Sequence, residues 1–403
     1  MASSTTNSKV LGATLLIAGS CIGAAMLGMP VITANAGFFP SLAMLVLTWF
    51  FMLSSGFLLL EVNLWMKEES SLISMTDKTL GFWGKAACWG LYLFLFSSLM
   101  VAYSSGSGQL LSGLLQDCGW RISQWQASIL VILLFLGLLL SGTRAVDLFN
   151  RFMMTGLVLC YFALVFFTST EIQPQLLTHM NWSATPYVLP ALIVSFGYHQ
   201  LVPTLTTYLD HDAHAMRKSL WMGSLLALAV YLLWQLLILG VVPLEGEYGL
   251  LETYRQGGAA TQALRHAGVK ASIIPISQYF ALFAILTSFV GVALSFVDFL
   301  LDGFGWERSR SSVLTISILI LLPPFVLSQI YPRAFLLALD VAGGFGAVIL
   351  YGLLPAMMVW KGRTTLSDSK DQRMSTGKGI LCFVVILAIT IFSVELFKEL
   401  GIA

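Results

Sequence analysis

The chain has 403 residues, of which 57% are hydrophobic and 10% charged, with a mean hydropathy of +0.85, far from the quarter charged of an ordinary soluble domain. It reads as an all-α integral membrane protein. A net charge of +1 without a basic run excludes a nucleic-acid partner, and five scattered cysteines (Cys21, Cys88, Cys118, Cys160 and Cys382) give neither a disulfide framework nor metal-ligand spacing.

The first apolar segment, residues 9–36, is long enough to cross a bilayer, yet within Ala18 to Pro30 it carries Gly19, Gly23, Gly28 and Pro30, the residues that cost a helix interior most. Unwound chain at membrane depth is tolerated only where protein buries it or a wet cavity meets it, so this stretch is a candidate binding site. The competing reading is a packing face, because Gly19 and Gly23 stand at small-xxx-small spacing. Ala34-Asn35-Ala36 resembles a signal-peptidase site, but without a cationic start and short apolar core the segment reads as an uncleaved first span.

Further spans follow at residues 40–65, 84–115, 126–143, 149–169, 184–206, 219–243, 273–302, 312–331, 334–360 and 378–397, which makes eleven. Continuous apolar stretches of this length exclude a β-barrel. If the N-terminus is cytoplasmic, only Arg121, Arg255, Arg265, Lys270, Arg333 and Lys398 of the 21 Lys and Arg lie outside, and the inner set includes Lys67, Lys370 and Arg373. The positive-inside rule therefore puts the N-terminus in the cytoplasm of a bacterial inner-membrane protein and the C-terminus outside. Residues 1–8 form the cytoplasmic start and 361–377 a solvated cytoplasmic loop, with the eleventh helix and external C-terminus in 378–403. Between the second and third spans, residues 67–84 mix charges with Leu72, Ile73 and Met75 and read as interfacial; the polar stretch 243–270 outside reads as a lid.

The second interruption lies in the sixth span, where Gly197, Tyr198, His199 and Gln200 stand at the centre of Val194 to Pro203. It comes five spans after the first. An odd number of crossings per unit makes the second unit start from the opposite face, so residues 9–170 and 184–360 read as inverted five-helix repeats whose broken helices 1 and 6 meet at the midplane, the sequence mark of a secondary transporter.

The stretches AGSCIGAAMLGMP (18–30), LLLEV (58–62), AYSSGSG (102–108), DLFNRF (147–152), SFGYHQLVP (195–203), TSFVGVAL (287–294), DFLLDG (298–303) and YPRAF (331–335) resemble the bacterial hydroxy/aromatic amino acid permeases, and within them the tyrosine-specific branch. That family belongs to the amino acid/polyamine/organocation superfamily. The resemblance covers nearly the whole chain and implies the five-plus-five inverted-repeat fold with one extra C-terminal helix, an aromatic amino acid as small-molecule partner, no enzymatic activity and no cofactor. In one respect the chain departs from it: some members place a lysine in the fifth span where this chain has Leu157, so a lysine-based proton switch is absent there.

A zwitterionic substrate needs donors for its carboxylate and acceptors for its ammonium, and the ends of two half-helices supply both without charged side chains. The N–H groups around Gly23, Ala24 and Ala25 are assigned the carboxylate, and the carbonyls around Gly19, Ser20 and Cys21 and those of Ser195 and Phe196 the ammonium. The resemblance implies that Tyr103 closes over the polar end; the alternative is a hydroxyl tied to a neighbouring helix. Met26, Phe196 and Tyr198 either wall a side-chain pocket around Gly197 or are ordinary core. His199 is either a functional intramembrane histidine, carrying the coupled proton or meeting a substrate hydroxyl, or a structural one.

Glu61 and Asp298 are the other coupling candidates, with helix-packing salt bridges, to Arg144 or Arg151, as the alternative; Asp340 is a third buried-looking acid. Thr287 and Ser288 resemble the hydroxyl pair that in sodium-coupled relatives of the fold meets carbonyls at the positions of Gly19 and Ile22, and hard oxygens suit that cation. Hydroxyl pairs also pack helices without any ion. Asp210 to His214 looks metal-like but lies in a cytoplasmic turn and reads as a solvated loop. The sequence thus supports an aromatic amino acid importer, tyrosine first, driven by protons, with sodium coupling or broader neutral specificity as the alternative. No ring of charges marks a channel and no catalytic constellation an enzyme.

Overall fold

The computed structural model describes residues 2–66, 70–331, 333–365 and 377–401. Lys67, Lys370 and Arg373, most of the loop expected over 361–377 and the last two residues fall outside these ranges. Within them the chain is helical, with one isolated bridge, Gly37 to Met180. Among the described residues nine helices, and a tenth span if the bent first pair counts as one, are long and apolar enough to cross a membrane; the shorter apolar helix Gln124–Leu140, 17 residues, stands where the fourth span was expected.

The first span is two helices, Ala2–Cys21 and Ala24–Thr33, whose axes bend by 53°. Its ladder ends where Ile22 N–H reaches the Ala18 carbonyl, and Gly23 is fully extended, so the next backbone donors leave the helix. The sixth span stops at Leu189–Ser195, runs irregularly through Phe196 and Gly197, and resumes in a short 3-10 turn and the helix Val202–Tyr208. Pro203 stands in the first turn of that helix, where its missing N–H costs nothing.

Both breaks sit at the centre of the molecule: 67% of the sixth span's apolar window is buried, against 28% in the fifth and eleventh, which face lipid. The outer ends of the broken spans are pinned together. Asn181 N–H donates to the Ala36 carbonyl at 2.9 Å, and Gly37, at φ 86°, packs its α-carbon against the His179 carbonyl where a side chain has no room.

The segment after the second span contains the helix Leu72–Leu80, started by a Ser71/Ser74 capping box, and it buries Leu72 and Met75 against the protein. The stretch expected as a lid holds two short helices, Leu250–Gln256 and Ala260–His266, turned at Gly257. Their buried Leu250, Ala260, Ala263 and Leu264 close the end of the molecule above the half-helix Ala24–Thr33. The third span is a single 36-residue helix, Phe82–Asp117. The tenth begins as Ala334–Val341, widens into a π-helix over Ala342–Leu353 and returns to α-helix at Leu354–Thr365. Gly343 and Gly344 in the widened part lie against the Pro190 carbonyl and the Glu395 side chain.

Candidate substrate site

A cavity of about 460 Å³ lies between the two breaks, within the roughly 300–1,000 Å³ of small-molecule sites. The first span contributes Gly19, Ser20 and Ile22, the sixth Gly197 and Gln200, the third Tyr103, and the eighth Thr287, Ser288 and Gly291. Leu95, Leu99, Met154, Val194 and Tyr351 give it an apolar flank. It opens toward the side bearing the N-terminus: Leu15, Leu16 and Ser20 are exposed there, while every residue of Ala24–Thr33 is buried beneath the lid helices.

Seven of the expected residues therefore meet at one cavity: Gly19, Ser20, Ile22, Tyr103, Gly197, Thr287 and Ser288. The others stand behind its wall, and their hydrogen bonds say why. Ala24 N–H, expected to meet a carboxylate, donates to the Ser288 hydroxyl at 2.9 Å. Gly23 is pressed against Ser288 so closely that an added Cβ would overlap its oxygen, and Ala25 is buried beside it. The carbonyls of Cys21 and Ser195 both face the Tyr231 hydroxyl, each at 2.6 Å. The Met26 carbonyl accepts the Trp234 indole N–H at 2.9 Å.

Met26, Phe196 and Tyr198 are core rather than pocket wall. All three are 0% exposed: Phe196 packs edge-on to Tyr231 at 5.1 Å, and Tyr198 donates its hydroxyl to the Met52 carbonyl at 3.0 Å. His199 is also buried, its ring stacked between Tyr198 at 4.7 Å and Tyr351 at 4.9 Å, and it is not among the residues that line the cavity.

The acids have partners other than those expected. Glu61, 0% exposed, accepts a bidentate pair from Arg363 at 2.8 and 2.9 Å, tying the second span to the tenth. Asp298 is exposed and pairs with Arg308, while Arg151 pairs with Asp147 at 2.9 Å, so neither Arg144 nor Arg151 serves these acids. Asp340 pairs with Lys398 on the eleventh span at 2.8 Å. Asp212 caps the seventh span through the N–H groups of His214 and Ala215, and Asp210 pairs with Lys9 at 2.6 Å, so that acidic turn is helix-start chemistry. The Thr287 hydroxyl donates within its own helix, to the carbonyls of Phe283 and Ala284 at 2.9 and 3.0 Å.

Tyr231, Trp234 and Tyr351 are the residues that sequence reasoning missed. Tyr231 and Trp234 lie one turn apart in an unbroken apolar helix, and nothing local marks them; only the glycines around Tyr351 hint at close packing.

The chain is similar to known transporters over its whole length. Residues 6–395 match the tryptophan/tyrosine permease family. A tryptophan-specific transport protein of Haemophilus influenzae is 30% identical over 98% of this chain and 97% of its own length. Tyrosine-specific transport system 1 of the same organism is also 30% identical, over 96% of each chain. The crystal structure of MhsT in complex with L-phenylalanine superposes with a TM-score of 0.64 at 17% identity, covering 96% of this chain and 98% of that one, which establishes the shared fold: five-plus-five inverted repeats with broken first and sixth helices, followed here by an eleventh. This chain, a multi-pass membrane protein and not an enzyme, belongs to the tryptophan/tyrosine permease family.

Proposed function

We propose that the protein imports an aromatic amino acid, tyrosine first, across the bacterial inner membrane by proton symport and alternating access. The observation that carries this reading is a cavity that reaches both helix breaks and is lined both by polar groups, Ser20, Tyr103 and Ser288, and by apolar ones, Leu95, Leu99 and Met154. Such a site suits a zwitterion with an apolar ring, and Tyr351 at its edge adds an aromatic face. With the N-terminus cytoplasmic, as the distribution of Lys and Arg favours, the cavity opens inward and the lid closes the outer side.

Sodium coupling is the second reading, favoured by Gly19, Ile22, Thr287 and Ser288 sharing one cavity wall. The test is uptake into proteoliposomes over all amino acids, with sodium and pH varied independently. Tyrosine uptake that follows an imposed pH gradient in sodium-free buffer supports the proposal. Uptake that needs sodium, ignores the pH gradient and disappears in a Thr287→Ala, Ser288→Ala double mutant overturns the proton assignment.

A further inference from the structure

At the end of the molecule away from the cavity mouth, two buried carboxylates share one lysine. Asp340 of the tenth span and Glu395 of the eleventh are 3% and 0% exposed, and Lys398 reaches them at 2.8 and 3.4 Å. One oxygen of each acid, Asp340 Oδ1 and Glu395 Oε1, has no hydrogen-bond partner. If both acids are ionised, the cluster carries one uncompensated buried negative charge and two orphaned acceptors, an arrangement that costs several kcal/mol in a low-dielectric interior. A single proton corrects both faults, because it neutralises the excess charge and turns one acceptor into a donor.

We propose that Asp340, Glu395 and Lys398 form the site that takes up the coupled proton from outside, an inference that rests on the proton-symport reading above. Lys398 lines a cavity of about 350 Å³ with Asn35, Tyr187 and the lid residue Tyr254, which gives the cluster a route to the outer side. The other ionisable groups that act on it are few: Arg333, stacked over Tyr254 at 4.5 Å, and Glu399. Of the neighbouring elements, the half-helices Ala24–Thr33 and Leu189–Ser195 carry no charged residue. Glu61 and Arg363 are paired with each other at the opposite end, and Asp117 is held by Arg265. Glu395 packs directly on Gly344 in the π-helix whose far part presents Tyr351 to the substrate cavity, so the protonated and ionised clusters bear on the wall of the site. The step transfers a proton from hydronium at the outer side to a carboxylate oxygen, breaking one O–H bond, forming another and leaving water; release is the reverse transfer, to water on the cytoplasmic side once access has switched.

Infrared difference spectra of the purified protein between acid and alkaline buffer read the site directly, through the C=O stretch of a protonated carboxylic acid. The band is expected in the wild type and lost in Glu395→Gln. In proteoliposomes, Glu395→Gln and Asp340→Asn are each expected to keep counterflow exchange of labelled tyrosine but to lose at least tenfold in pH-gradient-driven accumulation. A band unchanged in both variants, or gradient-driven accumulation retained in both, overturns the proposal. A wild type that accumulates tyrosine only with sodium would sink the symport reading instead, while the band would still report whether the cluster binds a proton.

Discussion

Ser288 accepts the Ala24 backbone N–H at 2.9 Å, and so the eighth span caps the half-helix whose start was expected to receive the substrate carboxylate. The first free donor of that half-helix is thus engaged by a side chain. A carboxylate that reaches it must displace a hydroxyl, a neutral acceptor, and a charged acceptor makes the stronger hydrogen bond.

Gly23 is where that contact leaves no room, because a Cβ there overlaps the Ser288 hydroxyl. Gly23→Leu is expected to abolish tyrosine binding while the protein stays inserted and monodisperse. Gly23→Ala should weaken binding, and adding Ser288→Ala should recover part of it, since the serine Cβ stands at 3.6 Å, an ordinary contact. Ligand-binding titrations on the two single mutants and the double mutant check this, and additive losses would show that the two positions do not meet.

Tyr231 ties the breaks of the first and sixth spans to each other through the carbonyls of Cys21 and Ser195. Tyr231→Phe keeps the ring against Phe196 but removes the one hydroxyl hydrogen that the two buried carbonyls share, at about 1–3 kcal/mol. Substrate affinity should fall about tenfold, the equivalent of about 1.4 kcal/mol, as the two halves of the site lose their fixed spacing. Unchanged affinity in an equilibrium binding assay would remove Tyr231 from the site.

Glu61 was a coupling candidate on sequence, with a helix-packing salt bridge as the competing reading, and its bidentate pair with Arg363 fits the second. Breaking a buried pair by removing one charge costs about 3–5 kcal/mol. Glu61→Gln should therefore lower the thermal unfolding temperature in detergent, while the protein that remains folded keeps its proton dependence of uptake. Normal stability with uncoupled uptake would return Glu61 to the coupling list.

Orientation is open to direct chemistry because Cys118, just past the third span, is exposed, whereas Cys21 and Cys88 are buried. A membrane-impermeant maleimide should label Cys118 in intact cells. Labelling only after permeabilisation would invert the topology, and with it the inward-facing reading of the cavity.

Hydropathy and the two glycine-proline interruptions sufficed to place the spans and the breaks, because bilayer thickness and unsatisfied backbone leave marks in any chain that crosses a membrane. What faces what across the bundle was not legible. In a soluble helix the polar face marks water, but here the lipid side of the fifth span and the buried side of the seventh are equally apolar, so nothing in the pattern selects Tyr231 over Tyr161 or Tyr351 over Tyr198. The same limit explains why Arg363 was not matched to Glu61: the pair is 302 positions apart in the chain, and only packing brings it together.

The length of the third span has a mechanical consequence. Its 36 residues make a rod of about 54 Å at ~1.5 Å per residue, and even at a tilt of about 40° a hydrocarbon layer of ~30 Å takes up only about 39 Å of it. Both tips therefore work outside the lipid, and both grip something: Lys85 holds Asp77 of the helix Leu72–Leu80 at 3.0 Å, and Asp117 holds Arg265 of the second lid helix. Midway along the rod, Tyr103 faces the substrate cavity. A small rocking of this one lever about its centre swings the fittings on the two faces in opposite directions, so that loosening one seal and tightening the other become a single movement.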